Sequence, residues 1–229
     1  MQVTNLLALA LTVGLSTACS EDATTAPTVN AYVQVIHASP DAPNVDVLVD
    51  NVVVLTNVPY QAASGYLAVP AGTRNFKVNA TGTSTTVINA DVAVMGGMYY
   101  TVMATGLLAA IQPLVLVDDY VNPAAGNVKL RLVHGAASAP MVDIYVTAPG
   151  ADISGIAPTL TAVPFRGFSD YLEVPAGSYQ VRVTVTGTKT VAIDTGALAL
   201  AAGQIRTGIA LDDIGGGAPF GAIVVLGRN

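Results

Sequence analysis

The sequence predicts an all-β protein: two tandem antiparallel β-sandwiches of immunoglobulin-like type, placed after an export signal and a polar tether. Three observations predict it. Apolar and polar residues alternate over short stretches, as in "KLRLVH" from Lys129 and "SYQVRVTV" from Ser178, which is the signature of half-buried strands. The chain is 52% hydrophobic and only 10% charged, yet 22 Gly and 13 Pro cut its apolar content into short pieces, as strands and turns require. Finally, the chain repeats itself. His37, Pro43 and Asp46 recur as His134, Pro140 and Asp143 at an offset of 97, and "VPYQAASGYLAVPAGTRNFKV" from Val58 recurs as "VPFRGFSDYLEVPAGSYQVRV" from Val163 at an offset of 105.

The first element is the N-terminus. "LLALALTVGL" leads into the small residues Ser16, Thr17 and Ala18 and then Cys19, the only cysteine. That is the layout of a secretory signal peptide, and the Cys after small residues resembles the lipobox of bacterial lipoproteins, with Ser16 where Leu is usual. The resemblance implies cleavage before Cys19 and lipidation of its thiol, with residues 1–18 as the signal and 19–30 as a polar tether. Ser20 is not the Asp that resembles an inner-membrane retention signal, so the outer membrane is the expected location. No apolar run approaches the ~20 residues of a membrane-spanning helix.

The repeats follow as a first sandwich over 31–120, a linker over 121–127 within the turn-rich "DDYVNPAAGN", and a second sandwich over 128–229. In "KLRLVH", Leu130, Leu132 and His134 share one face, with Lys129, Arg131 and Val133 opposite. In "MVDIYV", Val142, Ile144 and Val146 face inward and Asp143 and Tyr145 outward. Asp50-Asn51 reads as a two-residue hairpin turn, and each "VPAG" as a turn before an alternating strand. The second copy carries eight extra residues around "TAPGADISGIAPTLTA", a longer loop. About seven strands per copy most simply make a sandwich; a barrel is the alternative closure. The acids and bases of the first copy sum to −4, whereas those of the second cancel. This contrast and the linker composition predict two independently folded units joined near Asn122–Gly126.

"VIHASPDAPNVDVLVD", "VPYQAASGYLAVPAG" and the strand ending "TVMATG" resemble the bacterial envelope family known as domain of unknown function 4397. The second copy is similar in "RLVHGAASAPMVDIYV" and "VPFRGFSDYLEVPAG", although Gly135, Ala136 and Ala137 stand where the first has Ala38, Ser39 and Pro40. The resemblance covers roughly residues 31–226. It implies export, surface anchoring and tandem arrangement, and brings no established activity.

The candidate binding residues are His37, Asp41, Asp46, His134 and Asp143. An enzymatic reading pairs each His with the Asp nine residues on, the carboxylate orienting an imidazole base. Face parity opposes it. His37 shares its face with Val33 and Val35, while Asp46 and Asp143 point away from the apolar sets of their strands. No nucleophile recurs either, since Ser39 is Ala136 in the second copy. Each His is therefore expected to end a buried strand and hydrogen-bond the Pro-rich loop behind it.

Asp118-Asp119 and Asp212-Asp213 offer oxygens that suit calcium, but adjacent acids also cap loops, and no metal or cofactor is expected. "GGGAPFG" lacks the strand-to-helix setting of a phosphate loop. Tyr99-Tyr100 could stack on sugars, though alternation puts one of them in the core and no Trp is present. The nine basic residues form no stripe, which excludes nucleic acid as a partner.

The sequence thus predicts a non-enzymatic, lipid-anchored envelope module that binds a surface partner, another envelope protein or a polysaccharide, and meets the membrane through Cys19. The alternative is a periplasmic hydrolase or metal-dependent enzyme with a site at the domain junction, built from Asp118, Asp119 and a loop of the second copy.

Overall fold

A computed structural model describes residues 29–228; the expected signal peptide, most of the expected tether and the expected lipidation site, Cys19, lie outside the described residues. The first repeat forms β1 (Asn30–Ala38), β2 (Val45–Val49), β3 (Val52–Val58), β4 (Leu67–Pro70), β5 (Gly72–Ala80), β6 (Thr86–Val94), β7 (Tyr99–Thr105) and β8 (Gln112–Asp118). The second forms β9 (Asn127–His134), β10 (Val142–Thr147), β11 (Leu160–Val163), β12 (Leu172–Pro175), β13 (Gly177–Val185), β14 (Val191–Leu200), β15 (Ile205–Leu211) and β16 (Gly221–Arg228). The only helical segment among the described residues is a 3₁₀ turn, Leu108–Ala110.

Each repeat is a sandwich of two four-stranded sheets: β3-β2-β5-β6 over β4-β1-β7-β8, and β11-β10-β13-β14 over β12-β9-β15-β16. Pairing is antiparallel except for one pair in each repeat, β1 with β7 and β9 with β15. A parallel pair cannot be closed by a hairpin; here the chain leaves β1, builds the whole outer sheet and returns as β7. Asp50 and Asn51 make the expected two-residue turn, at φ 50° and 66°. Pro70-Ala71 and Pro175-Ala176, from the two "VPAG" stretches, pass the chain from one sheet to the other between β4 and β5 and between β12 and β13.

Two of the three cores fill the sandwiches. Val33 and Val35 of β1 meet Val45 and Val47 of β2 in the first, and Leu130 and Leu132 meet Val142 and Ile144 in the second. The third lies between the repeats, where Ile36, Ala38, Met103 and Leu116 pack against Val133, Ile209, Leu211 and Val225. The inner sheets are therefore buried on both faces, and β9 shows it: Lys129, Arg131 and Val133, on the face opposite Leu130 and Leu132, are buried too. The two repeats therefore share apolar contacts across the seam in addition to the cores of their own sandwiches. Apolar surface at each outer face drives them together, and the polar residues among it pair across the seam.

The longer loop of the second copy, residues 148–159, folds back over the outer face of its sheet. Ile153 is buried, and Lys189 Nζ donates to the Ile156 carbonyl at 2.5 Å and the Tyr145 hydroxyl at 3.1 Å. Tyr145, read as outward, is covered in this way.

Candidate functional site

The repeated His and Asp build two structural corners in each copy. His37 and His134 end β1 and β9 at 1% and 0% exposure, and each Nε2 lies 3.0 Å from a loop carbonyl, that of Pro43 or Pro140. A carbonyl only accepts, so Nε2 carries the proton. In the first copy, Nδ1 accepts the Ser39 N–H at 3.3 Å. Burial pushes both imidazoles down, outweighing the carbonyl contact that raises them, and the rings are neutral. Among the described residues neither imidazole hydrogen-bonds a carboxylate.

Asp46 and Asp143 are clasps for a strand bulge. Asp46 Oδ1 accepts the Asn57 N–H at 2.8 Å and the Thr81 hydroxyl at 2.9 Å. Asp143 accepts the Ala162 N–H at 2.8 Å and the Gly187 N–H at 2.9 Å. Asn57 and Ala162 are equivalent bulge residues, at φ 53° and 51°. The Asn57 N–H holds the Asp46 carboxyl below its usual range; at Asp143, burial raises the pKa but the two backbone donors outweigh it.

Asp41 accepts the Leu108 N–H at 2.7 Å, fixing the 3₁₀ turn. Asp212 accepts the Ala137, Ser138 and Gly217 N–H groups. In the first copy, Ser39 Oγ instead donates to the Gly106 carbonyl at 2.6 Å, which explains why the second copy dispenses with that Ser. No group of three metal-ligating residues occurs among the described residues.

Among the described residues, a feature with room for a ligand lies at the seam. A cleft of about 780 Å³ opens there, lined by Tyr99 of β7, Val117–Val121 at the exit of β8, Arg131 of β9 and Phe168–Tyr171 ahead of β12. Three further cavities hold only about 20–30 Å³ and are apolar voids among core strands.

At the floor of the cleft Arg131 Nη2 donates to Asp118 Oδ1 at 2.6 Å, with the two side chains 3% and 2% exposed. Arg131 Nη1 donates to the Val117 carbonyl at 3.1 Å. Asp118 Oδ2 takes the hydroxyls of Tyr66 and Thr101, each at 2.8 Å. Tyr66 and Tyr171 occupy equivalent positions in "SGYL" and "SDYL" and reach the same ion pair, for the Arg131 guanidinium lies 4.8 Å from the Tyr171 ring centre. Burial, then the Asp118 charge, raises the Tyr66 phenol; burial pushes Tyr171 up to about 12. Both phenols are protonated at neutral pH.

The walls are aromatic with an acidic lip. Tyr99 stacks on Tyr32 at 4.7 Å and on Tyr120 at 3.6 Å. Two rings this close cannot share one face, so both faces of Tyr99 are covered. The remaining aromatic lining comes from Tyr120, Tyr171 and Phe168, the last 52% exposed. Tyr100, its neighbour in sequence, is in the core. Asp119 pairs with Lys129, whose Nζ also donates to the Val121 carbonyl at 3.1 Å; Asp170 is exposed on the opposite wall. Ser169 Oγ is spent on the Leu132 N–H at 3.0 Å. This lining can stack, hydrogen-bond and attract charge. It contains no His or Cys and no Ser paired with a base.

Fold and seam together define a tandem β-sandwich protein whose two repeats pack through a third apolar cluster and line one cleft. The chain belongs to the family described as Domain of unknown function (DUF4397), whose model matches residues 31–145 and 147–226. The break between these segments falls within β10, whereas the structural break lies between Asp118 and Asn127. No curated protein matches the chain. Among solved structures, the chain is similar at 12% identity and TM-score 0.28 to one described as "Alpha-glucan binding by a streptococcal virulence factor", over 78% of this chain and 92% of that one. It is similar at 11% identity and TM-score 0.25 to "The Bacillus anthracis TIE protein", over 81% of this chain and 34% of that one.

Proposed function

We propose that this chain is a lipid-anchored cell-envelope protein that binds an envelope ligand, without turning it over, in the cleft between its sandwiches. The cleft carries the reading: it is of ligand size, lined by aromatic faces and polar groups, and built only when both repeats are in place. The alternative, a hydrolase or metal-dependent enzyme at the junction, points to the same place but finds its acids committed. Asp118 is held by Arg131, Tyr66 and Thr101, and Asp119 by Lys129. A general base needs a free lone pair within reach of substrate. The anchor rests on the small-residue run ending at Cys19, and more than one acyl chain on that residue gives stable membrane attachment.

Two measurements test this reading. Mass spectrometry of the mature protein is expected to find an N-terminus at Cys19 bearing lipid; full-length protein with an unmodified Cys19 removes the anchor. The full chain with Cys19→Ser, screened against envelope polysaccharides, is expected to bind a ligand and to lose it with Tyr120→Ala or Phe168→Ala. Hydrolysis of any of these, with or without divalent metal, that disappears in Asp119→Asn moves the assignment to an enzyme.

A further inference from the structure

We infer that the ligand of this cleft is an extended glycan bearing free, protonated amino groups; the inference rests on the cleft being the binding site. Charge makes the first selection. The lining holds three carboxylates, Asp118, Asp119 and Asp170, and one cation, Arg131. Arg131 is spent on Asp118 and the Val117 carbonyl, and Lys129 at the rim on Asp119 and the Val121 carbonyl. An anionic polymer would meet the exposed Asp170 while Arg131 and Lys129 are already paired, a like-charge juxtaposition that rejects partners. An ammonium group meets carboxylates and aromatic faces, and both attract it. Tyr171 already holds a guanidinium in this way.

The lining makes the second selection. An extended peptide that adds to a sheet needs unpaired backbone groups at an edge, and at the cleft the Val117 carbonyl of edge strand β8 is taken by Arg131. What the walls offer instead is the exposed ring of Phe168, with the partly covered rings of Tyr120 and Tyr171 beside it, and the exposed carboxylate of Asp170. Flat apolar faces flanked by acceptors suit a pyranose, whose C–H face stacks while its hydroxyl and amino groups donate.

The test uses the full chain with Cys19→Ser and reads tyrosine fluorescence, which no Trp obscures, checked by calorimetry. The probes are glucosamine oligomers at mildly acidic pH, the same oligomers fully N-acetylated, polygalacturonate, and a Lys-rich peptide. The glucosamine oligomer is expected to bind about tenfold more tightly than its N-acetylated form, and polygalacturonate not at all. Exposed Asp170→Asn, with an unchanged melting temperature, is expected to weaken the amino form and leave the N-acetylated form untouched; Phe168→Ala is expected to weaken both. Equal binding of the amino and N-acetylated forms overturns the charge inference and leaves the cleft intact. Binding of the peptide in place of the amino glycan overturns the glycan assignment alone. No glycan binding, or binding indifferent to Phe168→Ala and Tyr120→Ala, overturns the cleft reading and the inference with it.

Discussion

Arg131 and Asp118 form an ion pair across the boundary between the two repeats, 2.6 Å apart and sealed from water. Arg131 lies on the first strand of the second sandwich and Asp118 ends the last strand of the first. Gln34 occupies the position in β1 that Arg131 has in β9, and its side-chain amide donates across the same seam to the Leu226 carbonyl at 3.2 Å. The repeats thus meet in a pseudo-symmetric way, each sending one polar side chain from its first strand to the last strand of the other.

Removing one member of this pair leaves a buried charge without its partner. Arg131→Ala or Asp118→Ala is expected to cost ~3–5 kcal/mol in urea unfolding, and the double change Arg131→Met, Asp118→Leu to recover most of it. A loss below ~1 kcal/mol for either single variant is what an exposed pair would give, and would remove the pair from the account of the seam.

The histidine corners predict an acid-sensitive stability. Both rings have folded pKa values below the ordinary one, so between that folded value and ~6.5 the unfolded chain binds protons that the folded chain refuses. Stability is full above ~pH 6.5 and falls as the pH drops from there through the folded values. The depressed Asp46 and Asp143 carboxyls act only below about pH 4, so the two effects separate. His134→Ala is expected to cost ~1–3 kcal/mol at neutral pH, because the Pro140 carbonyl loses its donor, and to flatten the decline in the range just below about pH 6.5. An unchanged slope in urea midpoints across that range contradicts the corner role.

Much of this was legible in short-range pattern. The alternation at Leu130 and Leu132 gave their inward face, Asp50-Asn51 gave a hairpin, and the strand-end position of His37 and His134 gave their bond to the following loop. The other face of β9 was not legible, because Arg131 and Lys129 read as solvent-facing until their partners Asp118 and Asp119 are brought up by the fold. The same holds for the cleft: Tyr120 comes from the segment just after β8, and Phe168 and Tyr171 come from a loop of the second repeat. One signal was available. The Tyr of "SGYL" recurs in "SDYL", at Tyr66 and Tyr171, outside the apolar alternation, and both copies face the seam.

The Asp143 clasp forces a side chain into a backbone region that suits glycine. Ala162 sits at φ 51°, and its equivalent Asn57 at 53°. Left-handed conformation costs an ordinary L-residue ~1–2 kcal/mol, while Asn adopts it readily. Ala162→Gly is therefore expected to raise stability by a few tenths to ~1 kcal/mol after the added freedom of the unfolded chain is subtracted. Asn57→Gly is expected to be neutral or slightly destabilising. The comparison is made by thermal melts of the two variants, and a drop for Ala162→Gly rejects the account of the bulge.

The shared core is expected to make the chain unfold as one body. Ile209 and Met103 are fully buried but belong to neither sandwich core, lying instead in the cluster between the inner sheets. Ile209→Ala or Met103→Ala opens a cavity there at ~2–5 kcal/mol, without touching the strands that pack Val33 on Val45 or Leu130 on Val142. If the sandwiches were beads on a linker, each change would lower the melting of its own repeat alone, and protease would cut between Asn122 and Gly126 to release two folded halves. The packing gives a different expectation. The wild-type chain should show one urea transition with coincident probes, both variants should shift it whole, and amides of β2 and β10, each in the outer sheet of a different repeat, should lose exchange protection together. Cleavage of the linker should leave the halves associated, held by the apolar seam and by the Tyr60 hydroxyl bond to the Asp212 carbonyl at 2.8 Å. Two separate transitions, with Ile209→Ala moving only one of them, would show that the repeats fold alone, and the cleft would then depend on a docking equilibrium instead of on the fold.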